Sequence, residues 1–201
     1  MRYLFMLAGC LAAAQVAAAP IVVVEEPGGT PGRTFVATTI IAASPERLCR
    51  IVQDYASYGT FMPNTRSAVP VGAGAGYVLV DMTLDLPLGQ AKQYRLRLEP
   101  TGSADGCRLA WQLVPRPDLR PGQTIADTAG YWDFRTLPDG SGSQVRYRVY
   151  ADPGPVPFGF GWIVEMMSKR SLPQAVAAVR ERALEETHGD GHLSAGLPAR
   201  R

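Results

Sequence analysis

The chain has 201 residues, with 20 Lys+Arg against 18 Asp+Glu and a formal net charge of +2. That length fits one domain with a self-sufficient core. The near balance of charge gives no reason to expect nucleic acid or an acidic partner.

The first segment reads as an export signal. Arg2 is a minimal positive region, Tyr3 to Val16 is an apolar run, and Ala17-Ala18-Ala19 supplies small residues for cleavage. Cutting before Pro20 is chemically awkward, so the preferred site is after Ala18, giving a signal peptide over 1–18. The run is too short for a comfortable membrane span, which needs about 20 apolar residues. Leu7-Ala8-Gly9-Cys10 resembles a lipobox, but few apolar residues precede Cys10 and the run continues past it, so a lipoprotein is the lesser reading. The predicted location is therefore periplasmic or extracellular. With Cys10 removed, Cys49 and Cys107 remain. They either pair in an oxidising compartment or stand as two separate buried small residues, and the second reading is preferred.

Residues 19–33 read as a linker. An Ile21-Val22-Val23-Val24 run, either an edge strand or a leader, passes into Glu25-Glu26-Pro27-Gly28-Gly29-Thr30-Pro31-Gly32. Thr34 to Ala43 is rich in Val, Thr and Ile and predicts a first strand. Ser44-Pro45-Glu46 is a helix start, with a Ser cap, Pro at the first helical position and an early acid. Asp54 to Gly59 ends that short helix, and Thr60 to Asn64 makes a second turn or helix.

A meander of strands follows. Arg66 to Val71 is short, and Gly72 to Gly76 is a hairpin loop. Tyr77 to Leu86 sets Val78, Val80, Met82, Leu84 and Leu86 against Asp81, Thr83 and Asp85. Ala91 to Glu99 sets Tyr94, Leu96 and Leu98 against Gln93, Arg95, Arg97 and Glu99. Pro100 to Gly106 reads as a loop. Cys107, Leu109, Trp111 and Leu113 share the next apolar face. Trp132 and Phe134 oppose Tyr131, Asp133 and Arg135. After the turn at Pro138-Asp139-Gly140-Ser141-Gly142, Val145, Tyr147, Val149 and Ala151 oppose Arg146, Arg148 and Tyr150. Repeated alternation of this kind is the mark of an antiparallel sheet with one packed and one wet face.

Asp152-Pro153-Gly154-Pro155-Val156-Pro157 is a turn leading into a helical pattern from Phe158 to Glu186, punctuated at Ser171-Leu172-Pro173. Leu172, Ala175, Val176, Val179 and Ala183 fall on one helical face; Arg180, Arg182, Glu185 and Glu186 fall on the other. Residues 188–201 read as a disordered tail. The order predicts an α+β domain over 34–187, a curved antiparallel sheet wrapped around one long C-terminal α-helix, with two short helices after the first strand.

This order, with Ala43-Ser44-Pro45-Glu46-Arg47-Leu48, Asp54 to Pro63, Gly130-Tyr131-Trp132-Asp133-Phe134, the 152–157 turn, and Ser171-Leu172-Pro173 with Val179-Arg180, resembles the START-like (SRPBCC, helix-grip) superfamily. It looks closest to bacterial members described as polyketide cyclase/dehydrase-like or coenzyme-Q-binding-like. The resemblance implies a deep apolar cavity between sheet and long helix for a lipid, isoprenoid, quinone or polyketide-like ligand. The candidate ligand-binding residues, large and inward by alternation or on the helix, are Met82, Tyr94, Trp111, Trp132, Phe134, Tyr147, Met166 and Met167. Aromatic and Met side chains suit an adaptable apolar pocket, although each alone is also ordinary core. Entry is expected near Gly72–Gly76 or the turn at 152–160.

Other constellations fail. The only histidines, His188 and His192, lie in the tail, which leaves no triad and no metal site in the core. Gly72, Gly74 and Gly76 precede a strand, so they make no dinucleotide cradle. Asp81 and Asp85 share the wet face of a strand, away from any interior acid–base work. No cofactor and no nucleic acid are expected. The partner is a small hydrophobic ligand, with a transient membrane or protein contact through Phe158, Phe160 and Trp162 as a lesser reading. An enzyme of the cyclase or dehydratase type is the runner-up to a ligand carrier. It requires a polar pair inside the cavity.

Overall fold

The computed structural model describes residues 18–28, 31–154 and 161–193, without the side chains of Leu88, 161–168 and 186–193. Eight strands form one sheet: β1 (Val22–Glu26), β2 (Arg33–Ile41), β3 (Thr65–Gly74), β4 (Tyr77–Asp85), β5 (Ala91–Ser103), β6 (Gly106–Val114), β7 (Asp127–Thr136) and β8 (Ser143–Asp152). Their order across the sheet is β1-β2-β8-β7-β6-β5-β4-β3, and every pairing is antiparallel. Two short helices, α1 (Pro45–Gln53) and α2 (Tyr58–Phe61), separate β2 from β3, and a long α3 (Gly161–Leu193) closes the chain. This is the predicted curved sheet with its terminal helix.

Local chemistry accounts for the elements. The Ser44 hydroxyl accepts from the Arg47 N–H at 3.4 Å, and Pro45 occupies the first turn, which fixes the start of α1. Leu48, Cys49, Ile51 and Val52 are buried on its inner face. On α3, Leu172, Ala175, Val176, Val179 and Ala183 are buried, the face expected from their spacing.

Four boundaries differ from expectation. The stretch 19–33, read as a linker, contains β1, whose Val22 to Glu26 pair in register with Thr38 to Thr34. Its approach is also held down: Arg180 donates to the Ala19 carbonyl and to the Thr39 hydroxyl, both at 2.7 Å, and that hydroxyl lies 2.9 Å from the Pro20 carbonyl. The Ile21-Val22-Val23-Val24 run thus follows its edge-strand reading, and the glycine and proline density marks the hairpin after it.

The second difference is at Pro100, which lies within β5 rather than starting a loop. The pairing of β4 with β5 ends at Leu98, so beyond it β5 has a neighbour only on the β6 side. A proline without an N–H is tolerated where no strand asks for that donor. Third, β3 runs to Gly74, leaving only Ala75 and Gly76 as the turn into β4; Gly76 takes φ 78°, open to glycine at little cost. Fourth, α3 passes unbroken through Pro173 and continues to Leu193, so 188–193 extend the helix instead of opening the tail. Burial of Leu172, Ala175 and Val176 around Pro173 offsets its missing hydrogen bond. Once a docked helix exists, each further residue adds a bond at little cost.

Cys49 and Cys107 form a disulfide with a Cα–Cα distance of 6.2 Å, which corrects the preference for two separate thiols. The spacing of 58 residues carries no local signal; only the docking of α1 against the sheet brings the pair together. Closing a loop of that length stabilises by roughly 4 kcal/mol in the chain-entropy picture. Replacing both cysteines by alanine is expected to lower the unfolding free energy by about 2–4 kcal/mol in urea titration. An unchanged midpoint would show that the bridge contributes nothing.

The interior has two halves. Around α1 and the C-terminal half of α3, Ile41, Leu48, Val52, Phe134, Val145, Val176 and Val179 are sealed from solvent and tightly packed. The other half, under the middle of the sheet, is hollow.

Candidate ligand-binding site

The hollow is a cavity of about 600 Å³, within the size range of small-molecule sites. Strand register builds its wall. Inward residues meet as cross-strand partners: Val80 with Leu96, Met82 with Tyr94, Leu98 with Trp111, Leu109 with Trp132, and Trp132 with Tyr147. Ser171, Leu172 and Ala175 of α3 supply part of the opposing wall, and Tyr55 and Tyr58 part of the side. The indole of Trp111 lies against Gly130, where any Cβ would overlap it and the Arg148 carbonyl. A bare backbone there is what admits so large a ring.

Of the eight predicted residues, Met82, Tyr94, Trp111, Trp132 and Tyr147 line the cavity. Trp132 stacks on Tyr147 with ring centroids 3.8 Å apart, and Trp111 leans on Tyr147 at 5.8 Å. Phe134 is a correction. It is inward, as alternation requires, yet it lies in the packed half, fully buried and stacked 5.8 Å from Trp132 on the side away from the hollow. Alternation gives the face of a strand residue and not its position between the packed and hollow ends of the sheet. The side chains of Met166 and Met167 lie outside the described residues, as do those of Phe158, Phe160, Trp162, His188 and His192.

Sequence reasoning missed Tyr55, Tyr58, Lys92, Ile125 and the helix residues as wall. Lys92 was legible, because it shares the parity of Tyr94, Leu96 and Leu98; its charge hid it. Tyr55 and Tyr58 carried no such signal, since a helix-ending turn has no simple period. The mouth also differs from one expected position. Gly72 to Gly76 do not border the cavity; exposed residues at its rim are Asn64, Pro87, Gln90 and Gly122, with Asp152 and Pro153 nearby.

Four of the polar groups of the wall are phenols. Tyr58 donates to the Val52 carbonyl, and burial, with the neighbouring Tyr55, Tyr147 and Asp54, holds its hydroxyl well above the usual titration range. Burial pushes Tyr55 up to about 12 and raises Tyr94 and Tyr147 as well. All four remain protonated donors at any physiological pH. The Lys92 ammonium donates to the Thr124 carbonyl at 2.8 Å, and burial holds it below the ordinary lysine range. Among the described lining residues the one carboxylate is Asp152, whose oxygen accepts from the Gly154 N–H at 2.9 Å.

The outer face carries the remaining charge. Asp81 accepts from Arg95 at 2.6 and 2.9 Å and from Arg116 at 2.9 Å, and Asp85 pairs with Arg66. Neither carboxylate reaches the interior, as their alternation required. The hydrogen bond from Arg95 lowers the Asp81 pKa, more than burial raises it. Its stabilisation is therefore complete above the unfolded carboxyl value near 3.9 and is lost as pH falls through the lower folded value. Asp81→Asn is expected to cost about 1 kcal/mol at pH 7, given partial screening, with the gap to the parent closing below about pH 4. A gap that persisted at pH 2 would assign the loss to packing instead.

Comparison with solved structures settles the architecture. A fragment of the STAR-related lipid transfer protein from Xanthomonas axonopodis superposes with a TM-score of 0.68 at 19% identity, over 83% of this chain and 98% of that one. Human StAR-related lipid transfer protein 5 gives 0.70 at 13% identity, over 87% and 90%. The Zhui aromatase/cyclase from Streptomyces sp. R1128 gives 0.62 at 17% identity, over 78% and 96%. The fold is START-like. It is the helix-grip architecture, shared by proteins titled as lipid-transfer proteins and as an aromatase/cyclase. No protein-family model matches the sequence, and no curated protein matches it significantly. At such low identity the START-like likeness carries the fold; function is argued from the cavity.

Proposed function

We propose that this protein is an exported carrier that encloses a hydrophobic ligand, a lipid, isoprenoid, quinone or polyketide-like molecule, between the sheet and α3. The observation that carries the reading is the cavity itself: about 600 Å³ walled by Met82, Leu96, Leu98, Trp111 and Trp132. Moving about 300 Å² of apolar ligand surface out of water contributes roughly 7 kcal/mol before the cost of immobilising the ligand.

Binding is favoured over catalysis by the wall's chemistry. Its phenols are held protonated by burial, Lys92 is engaged by a backbone carbonyl, and Asp152 sits at the rim. A cyclase needs a group that takes a proton near the substrate; burial draws Lys92 toward that role, but its ammonium is already bonded to the Thr124 carbonyl. The Cys49–Cys107 disulfide supports an oxidising compartment, in keeping with an export signal at the N-terminus.

The test is native mass spectrometry of protein purified without detergent, before and after incubation with a total lipid extract and with quinones. A mass increment released by organic extraction is expected. Absence of any apolar ligand, with no uptake of either mixture, would overturn the carrier reading.

A further inference from the structure

Two of the phenols in the cavity wall, Tyr94 and Tyr147, have hydroxyls without a partner among the described residues. Tyr94 is 8% exposed, and among the described residues neither its hydroxyl nor that of Tyr147 has a hydrogen-bond partner. Tyr58, by contrast, spends its hydroxyl on the Val52 carbonyl. Tyr94 stands on β5 and Tyr147 on β8, with two strands between, and both face the same hollow. The Tyr147 ring is clamped by Trp132 and Trp111, so its hydroxyl is aimed rather than free to swing. Neither hydroxyl is among the sealed, unpartnered atoms of the described residues, so both open onto the hollow; a ligand that displaces water from them must accept from them or leave a desolvated donor unpaired, which is costly.

We propose that the ligand carries an acceptor oxygen, a carbonyl in the first instance, that is held inside the cavity by the hydroxyls of Tyr94 and Tyr147. The inference rests on the carrier reading above and adds the ligand's polar chemistry to it. A carbonyl oxygen has two lone pairs and can accept from both phenols at once. A carboxylate would need a cation beside it, and Lys92, the one lysine among the described lining residues, already donates to the Thr124 carbonyl. A plain hydrocarbon would leave both hydroxyls stranded. The two phenols therefore act as a selectivity filter, rejecting apolar molecules that lack the oxygen, as sites built to hydrogen-bond a ligand do.

The test uses two flat probes of nearly equal shape, fluorene and 9-fluorenone, which differ by one carbonyl. Protein from cells expressing the full chain is stripped of bound lipid and equilibrated with each by dialysis. Fluorenone is expected to bind at least about tenfold more tightly. Tyr94→Phe and Tyr147→Phe, which keep the rings, should each remove most of that preference. The carbonyl stretch of bound fluorenone should fall in frequency in the parent and recover in the variants. If both probes bind equally, or if neither variant alters the preference, the phenol assignment is overturned and the carrier reading stands. If neither probe nor any lipid binds, both fall together.

Discussion

Tryptophan in place of Ala175 is expected to cut apolar-ligand affinity by at least about tenfold while the thermal midpoint moves by less than about 5 °C. Ala175 sits on the buried face of α3 and borders the cavity, so an indole at this position projects into the space the ligand needs. The argument turns on packing. In a filled core, an insertion of this size forces neighbours off their rotamers and costs about 1–3 kcal/mol or more. Here about 600 Å³ is available, and the new ring meets Trp111, Trp132 and Leu98 across a gap instead of colliding with them. Tryptophan's lower helix propensity takes back only a few tenths of a kcal/mol. Binding is read by lipid uptake and stability by thermal melting. A variant that unfolds but still takes up ligand when folded would show that the space lies elsewhere.

Phe134→Ala is expected to do the reverse, lowering the unfolding free energy by about 3–5 kcal/mol with ligand affinity of the folded protein changed by no more than about twofold. Phe134 is fully buried, stacks on Trp132 and lies in the packed half, apart from the hollow. A domain of this kind holds on the order of 5–15 kcal/mol in total, so the loss is a large share of it. Urea titration gives the energy, and uptake measured well below the transition gives the affinity. Loss of binding without loss of stability would place Phe134 in the site after all.

How much of this was legible follows from which physical signals are local. Alternation along β4, β5, β7 and β8 gave the inward faces, so Met82, Tyr94, Trp132 and Tyr147 could be named before any coordinates. The α3 face from Leu172 to Ala183 was equally plain, because an apolar stripe is a property of neighbouring residues. Depth was not legible. Phe134 and Trp132 are two residues apart on one face, yet one is in solid core and the other lines a void; the difference is set by α1 and α3 packing over one end of the sheet. The disulfide, the captured Ala19 carbonyl and the tyrosines after α1 were hidden for the same reason. Each depends on segments far apart in the chain being brought together. Lys92 was readable but overlooked: strand parity placed it inside, and its charge argued against.

The closest test of the hollow and its purpose is a crystal soaked in 1-bromododecane and measured at the bromine absorption edge. Anomalous density is expected inside the protein, bounded by Met82, Leu98, Trp132 and Leu172. Bromine found only at the surface, or an interior filled by those same side chains with no density between them, would contradict the account.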